Sequence, residues 1–211
     1  MLARRSPVDG VFLCLPSPVG GRGSAGKCGT LDPMSDPIAR HLVLIGLRAS
    51  GKSTVGRRLA EEFGVPFVDL DDRTAAVLGA KTVGEAFRSA GEQRFREAES
   101  QALRAALDEP PQVVALGGGT PTAPGAAAMI SAARDSSAAA VVFLDPGLET
   151  LAARLERDEG DRPSLTGLGV VAEMEAVAAR RRPLYAALAD LVFTGEVDSV
   201  MIRGAVFGAG R

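Results

Sequence analysis

The stretch GLRASGKST, from Gly46 to Thr54, has the residue types and the spacing of a phosphate-binding loop. It fits the pattern G-x4-G-K-[ST], and it follows a short apolar run and precedes an amphipathic one, which is the context that the motif requires. In such a loop, successive backbone N–H groups surround oxyanions, and the helix behind the loop adds a partial positive charge. We therefore predict that this segment binds a nucleoside triphosphate.

Individual positions of this loop have distinct chemical roles. Gly51 lets the backbone approach a phosphate closely, because it has no Cβ. Lys52, one of only three lysines in the chain, supplies a positive charge to the β- and γ-phosphates, and the hydroxyl of Ser53 suits Mg²⁺. The predicted nucleotide-binding residues are Ala49, Ser50, Gly51, Lys52, Ser53 and Thr54.

Short apolar runs alternate with amphipathic segments along most of the chain. Predicted strands span residues 41–46, 65–71, 112–119, 139–145 and 189–193. Predicted helices span residues 53–63, 82–107 with a break near Gly91, 124–134, 147–157 and 170–189. Because strands that alternate with helices form parallel sheets, we predict an α/β fold with a five-stranded parallel sheet and helices on both faces.

The two ends of the chain differ from this alternating region, which we predict to form one domain over residues 41–193. Residues 1–40 contain five prolines and a glycine cluster, so a flexible extension is expected. Met34 offers an alternative start directly before the first predicted strand. Residues 194–211 contain four glycines and no helical apolar stripe, and we predict a poorly formed tail there.

Composition and charge exclude several classes of partner. The chain has 211 residues and a net charge of −2, which argues against non-specific binding of nucleic acid. No apolar run approaches the ~20 residues that a membrane span needs. Cys14 and Cys28 cannot form a disulfide framework, so a reducing compartment is expected. We predict a cytoplasmic monomer with no nucleic-acid or membrane partner.

Acidic residues follow the second predicted strand, at the sheet edge where α/β proteins bind ligands. A kinase needs a carboxylate that accepts the proton of the attacked hydroxyl, and Asp69, Asp71 and Asp72 are candidates. Because side chains alternate along a strand, we expect Asp69 and Asp71 to lie on the same side. The alternative is that these acids cap a helix N-terminus.

Arginines and glycines farther along the chain also suggest a ligand. Helical spacing places Arg96 and Glu99 on one face, and a guanidinium group suits a carboxylate. An ion pair between Glu92 and Arg96 on a solvated face is the alternative. The triplet Gly117–Gly119 ends the third predicted strand, where bare backbone can contact a ligand, although a plain tight turn is also possible.

Six motifs occur in an order that resembles the shikimate kinase family, over about residues 41–193. They are GLRASGKSTVGRRLA, FVDLDD, GEQRFREAES, LGGGT, DRPSL and RRRPLY. The resemblance implies a P-loop kinase fold and the transfer of phosphate from ATP, with Mg²⁺, to the 3-hydroxyl of shikimate. That reaction lies on the route to chorismate and the aromatic amino acids.

The resemblance also implies roles for individual residues. Asp71 would bind the shikimate hydroxyls and act as the base, while Asp69 would help to place Mg²⁺ together with Ser53. Arg96 would bind the shikimate carboxylate, and Glu99 would orient that arginine.

Further positions follow from the later motifs. The triplet Gly117, Gly118 and Gly119 would line the shikimate pocket, with Gly118 donating its N–H. Arg181, two residues before a proline, would also bind the carboxylate, and Arg162 would act on the phosphates from a lid. We interpret Arg154 and Arg157 as helix-surface charges rather than adenine contacts.

Two other functions remain open at this point. A related P-loop kinase that acts on gluconate or a nucleotide would share the loop, although the segment 159–169 is short for the lid of a nucleotide kinase. A regulatory nucleotide-binding module would also share the loop, but it would not need an arginine-rich pocket beside paired aspartates. A substrate panel separates the three readings.

Overall fold

The structure is a computed structural model that describes residues 11–13, 38–157 and 170–208. Six strands form one sheet in these ranges: β1 (Val11–Leu13), β2 (His41–Ile45), β3 (Phe67–Asp69), β4 (Val113–Ala115), β5 (Ala139–Asp145) and β6 (Leu191–Thr194). The helices are α1 (Lys52–Phe63), α2 (Leu70–Val77), α3 (Val83–Asp108), α4 (Ala126–Asp135), α5 (Leu148–Arg157), α6 (Val170–Leu188) and α7 (Ser199–Gly208).

The sheet order is β1-β6-β5-β2-β4-β3, and the strands from β2 to β6 pair in parallel. The predicted five-stranded parallel sheet is therefore confirmed. The short strand β1 was not predicted; its backbone pairs antiparallel with β6 and extends that edge of the sheet.

The sheet separates two apolar layers because alternate residues of each strand point to opposite faces. Val43 and Ile45 of β2 pack with residues of α3, α4, α5 and α6. Leu42 and Leu44 of the same strand pack with residues of α1 and α7. The central strand β2 is buried along its whole length, as a parallel strand with both faces covered must be. Helices cover both faces, as the sequence predicted.

The third strand is shorter than predicted, which changes the setting of the acids. Strand β3 ends at Asp69, and helix α2 begins at Leu70 instead of after Asp71. Asp69 is the N-cap of α2, and its Oδ1 accepts a hydrogen bond from the backbone N–H of Asp71 at 3.2 Å. The expected strand alternation between Asp69 and Asp71 is therefore wrong. The helix-capping alternative applies to Asp69.

The long helix α3 contains the predicted break. Gly91 has φ 77° and ψ 165°, values that no helix interior contains, and helical geometry continues on both sides. Positive φ is accessible to glycine at little cost, so the chain changes direction at this residue. The second half of α3 carries Arg96 and Glu99 toward the end of β4.

The C-terminal region corrects the predicted poorly formed tail, because residues 199–208 form helix α7. Asp198 caps this helix through a 2.9 Å hydrogen bond from the N–H of Met201. Ile202 is completely buried against α1 and the sheet, and the Ser199 hydroxyl bonds to Glu62 of α1. Tertiary packing therefore forms a helix from a sequence without a clear amphipathic stripe.

Other predicted segments lie outside the described residues. The predicted lid with Arg162 falls in 158–169, and most of the predicted flexible extension falls in 1–10 and 14–37. None of the helices in the described ranges combines the length and the apolar character that a membrane span requires.

The packing of α7 can be tested by shortening its buried side chain Ile202. We expect Ile202→Ala to lower the free energy of unfolding by about 2–4 kcal/mol, because it leaves a cavity in the core. The matched control is Val200→Ala on the same helix, because the Val200 side chain is 58% exposed. This variant should change the free energy of unfolding by no more than about 0.5 kcal/mol. Equal effects in denaturant unfolding would show that α7 does not dock as described.

Candidate active site

The phosphate-binding loop connects β2 to α1 in a conformation that exposes backbone N–H groups. Ala49 has φ 62° and Gly51 has φ 94°, so two residues of the loop are left-handed. Helix α1 begins after Gly51 without a side-chain cap and with no acidic residue in its first turn. By contrast, α2 and α3 are capped by Asp69 and Thr82. An uncapped helix N-terminus behind such a loop is an anion-binding site.

Lys52 is buried within this loop and holds its shape. Its Nζ donates hydrogen bonds to the carbonyls of Gly46 at 3.0 Å and Leu47 at 2.8 Å, and to Oγ of Ser50 at 3.2 Å. The side chain is therefore folded back onto the loop. A phosphate oxygen placed in the loop would meet this charge together with the N–H groups.

Ser53 and Asp69 place two hard oxygen ligands beside the loop. The Ser53 hydroxyl donates to Asp69 Oδ2 at 2.7 Å. Within the described residues, no group of three or more His, Cys, Asp or Glu side chains forms a metal cluster. Mg²⁺ usually takes one or two protein oxygens and completes its shell with phosphate oxygens and water, so this donor pair fits that ion.

A cleft of about 380 Å³ lies over the start of α1. Its walls include the six loop residues predicted from the motif, Ala49 to Thr54. They also include Val55 and Arg58 of α1, Leu144 of β5, Arg154 of α5, and Gly195 and Val197 between β6 and α7. Arg154 crosses the cleft, since it donates to the Ala49 carbonyl at 3.2 Å and approaches Glu196 at 3.3 Å. The interpretation of Arg154 as a plain helix-surface charge is therefore wrong.

The glycine triplet at the end of β4 is in contact with three different parts of the site. A Cβ on Gly117 would overlap the Asp71 carboxylate, and a Cβ on Gly119 would overlap the Arg96 guanidinium group. A Cβ on Gly118 would lie 3.1 Å from the backbone N of Arg48 in the phosphate loop. The three residues thus bring Asp71, Arg96 and the loop to one place. A side chain on Gly117 or Gly119 would have to displace the Asp71 carboxylate or the Arg96 guanidinium group, and one on Gly118 would crowd the backbone of the loop.

Arg96 is held by a buried acid. Its Nη1 lies 2.6 Å from Oε2 of Glu99, whereas Glu92 lies 3.8 Å away and is largely exposed. The other oxygen of Glu99 accepts from the hydroxyl of Thr120 at 2.8 Å. Burial raises the pKa of Glu99 above its ordinary value, while Arg96 and Thr120 partly oppose this effect and the nearby Asp71 adds to it.

Arg181 approaches the triplet from helix α6. Its Nη1 donates to the Gly118 carbonyl at 2.5 Å, and the Tyr185 hydroxyl donates to the same oxygen at 2.5 Å. The neighbouring arginines point elsewhere: Arg182 pairs with Asp145 at 2.8 Å, and Arg180 is exposed. The structure therefore places Arg181, and neither neighbour, beside Gly118.

The sequence analysis missed two residues of this site and misassigned a third. Thr120 directly follows the glycine triplet, and Tyr185 closes the motif RRRPLY, so both lay within recognised motifs. Arg154 was weighed and interpreted as a helix-surface charge, because its position over the cleft depends on the packing of α5 beside the loop. Among the sites predicted from sequence, Arg162 alone lies outside the described residues.

Comparisons with known proteins identify the family of the chain. A family model described as shikimate kinase matches residues 48–202. The shikimate kinase of Caulobacter vibrioides is 36% identical over 180 residues, which are 85% of this chain and 86% of that protein. The shikimate kinase of Nitratidesulfovibrio vulgaris is 41% identical over 175 residues, which are 80% of this chain and 94% of that protein.

A solved structure gives the same result for the fold. Shikimate kinase from Acinetobacter baumannii in complex with shikimate aligns with a TM-score of 0.71 and 27% sequence identity, over 84% of this chain and 96% of that one. The family model and the relatives cover most of the region that contains the phosphate loop, the glycine triplet and the arginines. On these grounds, the chain belongs to the shikimate kinase family.

Proposed function

We propose that this protein transfers the γ-phosphoryl group of ATP to the 3-hydroxyl of shikimate, giving 3-phosphoshikimate and ADP. One observation carries the proposal: the phosphate-binding loop and an arginine-lined acceptor site meet at the glycine triplet. A loop alone would serve any nucleotide-binding protein, whereas a second receptor for a small acid needs an acceptor substrate. Shikimate has the required carboxylate and hydroxyl groups.

The cleft over α1 provides the ATP site of this proposal. Loop N–H groups and Lys52 bind the phosphates, and the base would lie beside Arg154 and Val197, which line the same cleft. Ser53 and Asp69 would hold Mg²⁺, which when bound offsets charge on the β- and γ-phosphates. Arg162 would add a further positive charge from the segment that was predicted as a lid.

The acceptor site uses the residues around the triplet. Arg96 and Arg181 bind the shikimate carboxylate, and Glu99 fixes the orientation of Arg96. Asp71 accepts the proton of the shikimate 3-hydroxyl while the hydroxyl oxygen attacks the γ-phosphorus of ATP. The bond between the γ-phosphorus and the oxygen of the β-phosphate then breaks, and ADP leaves. Gly118 contributes backbone polar groups to the pocket wall. Because the loop and the acid site share a boundary, the two substrates are positioned for in-line transfer.

We further propose that the protein works as a monomer in the cytoplasm, without nucleic-acid or membrane partners. All residues of both receptors come from one chain, so catalysis needs no second copy. The acidic net charge of −2 and the lack of a cysteine framework support the other parts of this proposal.

A substrate panel tests the proposed reaction. With ATP and Mg²⁺, shikimate should strongly stimulate ADP release, while gluconate and nucleoside monophosphates should not. Arg96→Ala and Arg181→Ala should each lower kcat/KM for shikimate by at least about 100-fold, because a buried charge-assisted pair is lost. The matched controls Arg94→Ala and Arg180→Ala remove exposed arginines of the same helices and should leave kcat/KM nearly unchanged.

Three outcomes would contradict this assignment or its site residues. Turnover of gluconate or a nucleotide in place of shikimate would support a related kinase. Nucleotide binding with no acceptor-stimulated turnover would support a regulatory module. Equal losses of kcat/KM in Arg180→Ala and Arg181→Ala would mean that Arg181 is not the specific carboxylate ligand of this helix.

Two glycine variants should separate proton transfer from acid binding. Gly117→Ala pushes against the Asp71 carboxylate, so kcat should fall by about 10- to 100-fold with a smaller change in the KM for shikimate. Gly119→Ala displaces the Arg96 guanidinium group, so the KM for shikimate should rise by a similar factor with a smaller change in kcat. Steady-state kinetics with both substrates measures the contrast. The same pattern in both variants would remove the proposed division of roles.

The charge of Glu99 predicts a pH dependence of stability. Burial raises the pKa of Glu99 in the folded state above its ordinary value of 4.5. Between these two pKa values the folded state binds more protons than the unfolded state, so stability falls as pH rises through that window. Glu99→Gln removes this contribution and should be at least as stable as the wild type at neutral pH, while it binds shikimate more weakly.

Denaturant unfolding at several pH values, together with calorimetry of shikimate binding, measures both effects. Glu97→Gln is the matched control, because Glu97 is exposed on the same helix. Glu97→Gln should leave both the pH dependence of the free energy of unfolding and the affinity for shikimate unchanged. A pH profile of Glu99→Gln that matches the wild type would show that Glu99 does not titrate as described.

A further inference from the structure

The three carbonyl groups of the glycine triplet have different partners. The carbonyls of Gly117 and Gly119 close turns within their own segment. The carbonyl of Gly118 instead faces α6 and accepts from Arg181 Nη1 and from Tyr185 Oη, both at 2.5 Å. A carbonyl oxygen has two lone pairs, so it can accept both hydrogen bonds at once. The centre of the triplet is therefore tied to α6 through one oxygen with two donors.

Tyr185 is the more rigid of these two donors. Its side chain is completely buried, and its ring packs edge to face on Phe143 of β5, with 5.4 Å between the ring centroids. Burial raises the pKa of the Tyr185 phenol above its ordinary value of 10.0, although Arg181 opposes the shift. The group thus remains a neutral O–H donor at physiological pH. It stands one helical turn from Arg181, on the same face of α6.

Arg181 donates to the Gly118 carbonyl, and in the proposed reaction it also binds the carboxylate of the acceptor. A guanidinium group that turns toward this carboxylate gives up part or all of its bond to Gly118. Both hydrogen bonds to the Gly118 carbonyl are partly buried, so losing the Arg181 bond costs less free energy if another donor stays in place. Tyr185 is already in place and does not need to move.

We propose that Tyr185 is a positioning residue whose hydroxyl holds the Gly118 carbonyl while Arg181 moves to the carboxylate of the acceptor. The inference rests on the proposed function, since the acceptor's acid group draws Arg181 away. A fixed Gly118 keeps Gly117 against Asp71 and Gly119 against Arg96. Tyr185 therefore acts on the acceptor site through the backbone of Gly118.

Tyr185→Phe tests this role, because it removes one oxygen and leaves the ring packing intact. In the absence of substrate, Arg181 still satisfies the Gly118 carbonyl, so the Tm should change little. When shikimate is bound, that carbonyl lacks a full partner, so the Kd for shikimate should rise about tenfold while the Kd for ATP stays within about twofold. An unchanged Kd for shikimate would overturn the inference.

Phe143→Leu is the control for a merely structural effect. It removes the ring partner of Tyr185 but leaves the hydroxyl group, so it should lower the Tm with little change in the Kd for shikimate. If Phe143→Leu weakened shikimate binding as much as Tyr185→Phe does, general loosening would explain both variants. The hydroxyl would then have no special role.

A double-mutant cycle without any substrate tests the shared oxygen independently of activity. Either donor can satisfy Gly118, so Tyr185→Phe and Arg181→Ala should each have a modest effect on unfolding. The double variant leaves the oxygen without a side-chain donor and should lose more stability than the sum of the two. Additive effects would overturn the inference, because the two donors would then not substitute for one another.

A spectroscopic measurement follows the same group directly. Tyr185 is the only tyrosine and the chain contains no tryptophan, so 3-fluorotyrosine labels this site alone. Its ¹⁹F resonance should shift on addition of shikimate and change little with an ATP analogue; the reverse pattern would contradict the inference. A wild type that does not phosphorylate shikimate would overturn the proposed function and this inference together. Normal turnover with normal binding by Tyr185→Phe would overturn only the inference.

Discussion

The absence of three side chains at the end of β4 is the constraint on which the rest of the site depends. A Cβ on Gly117 or Gly119 would overlap the Asp71 carboxylate or the Arg96 guanidinium group, and a Cβ on Gly118 would lie unusually close to the backbone of the phosphate loop. Bare backbone lets groups from four distant segments approach one another closely enough for two substrates to react. The parallel sheet makes this possible, because the ends of β2, β3 and β4 lie side by side at one edge.

Several features that lower the stability of the folded state are concentrated near the ends of β2, β3 and β4. Ala49 has a left-handed backbone with φ 62°, which costs about 1 kcal/mol for a residue with a Cβ. Helix α1 lacks a side-chain cap, and the buried Glu99 has a raised pKa. None of these features favours the folded state by itself. In the proposed reaction, each provides a group that would bind an anion or orient an arginine, which is the usual reason for strain at functional sites.

Local sequence patterns predicted those elements whose structure is determined by their own residues and not by distant parts of the chain. Strand β5 appears with the predicted bounds, because seven apolar-rich residues ending in Asp145 are buried on both faces. The break at Gly91 was predictable because only glycine adopts its backbone angles easily. The phosphate loop was predictable because its motif specifies backbone geometry. The sequence also indicated Arg96 and the glycine triplet, through the order of motifs.

Features that depend on distant packing were not predictable in this way. Helix α7 forms because Ile202 docks on α1 and the sheet, and nothing in its own glycine-containing sequence shows that surface. Strand β3 ends at Asp69 because this residue, which pairs with Ala115, also caps α2: its Oδ1 accepts a hydrogen bond from the Asp71 N–H. Arg154 and β1 owe their positions to partners far away in the chain. These are tertiary effects that override local propensity.

The central claim is that the triphosphate receptor and the acid receptor share the glycine triplet as their boundary. A crystal structure with a non-hydrolysable ATP analogue, Mg²⁺ and shikimate tests it most directly. The account predicts phosphates in the loop at Lys52, the shikimate carboxylate on Arg96 and Arg181, and its 3-hydroxyl between Asp71 and the γ-phosphorus. Shikimate bound away from the triplet, or with its carboxylate far from both arginines, would contradict it.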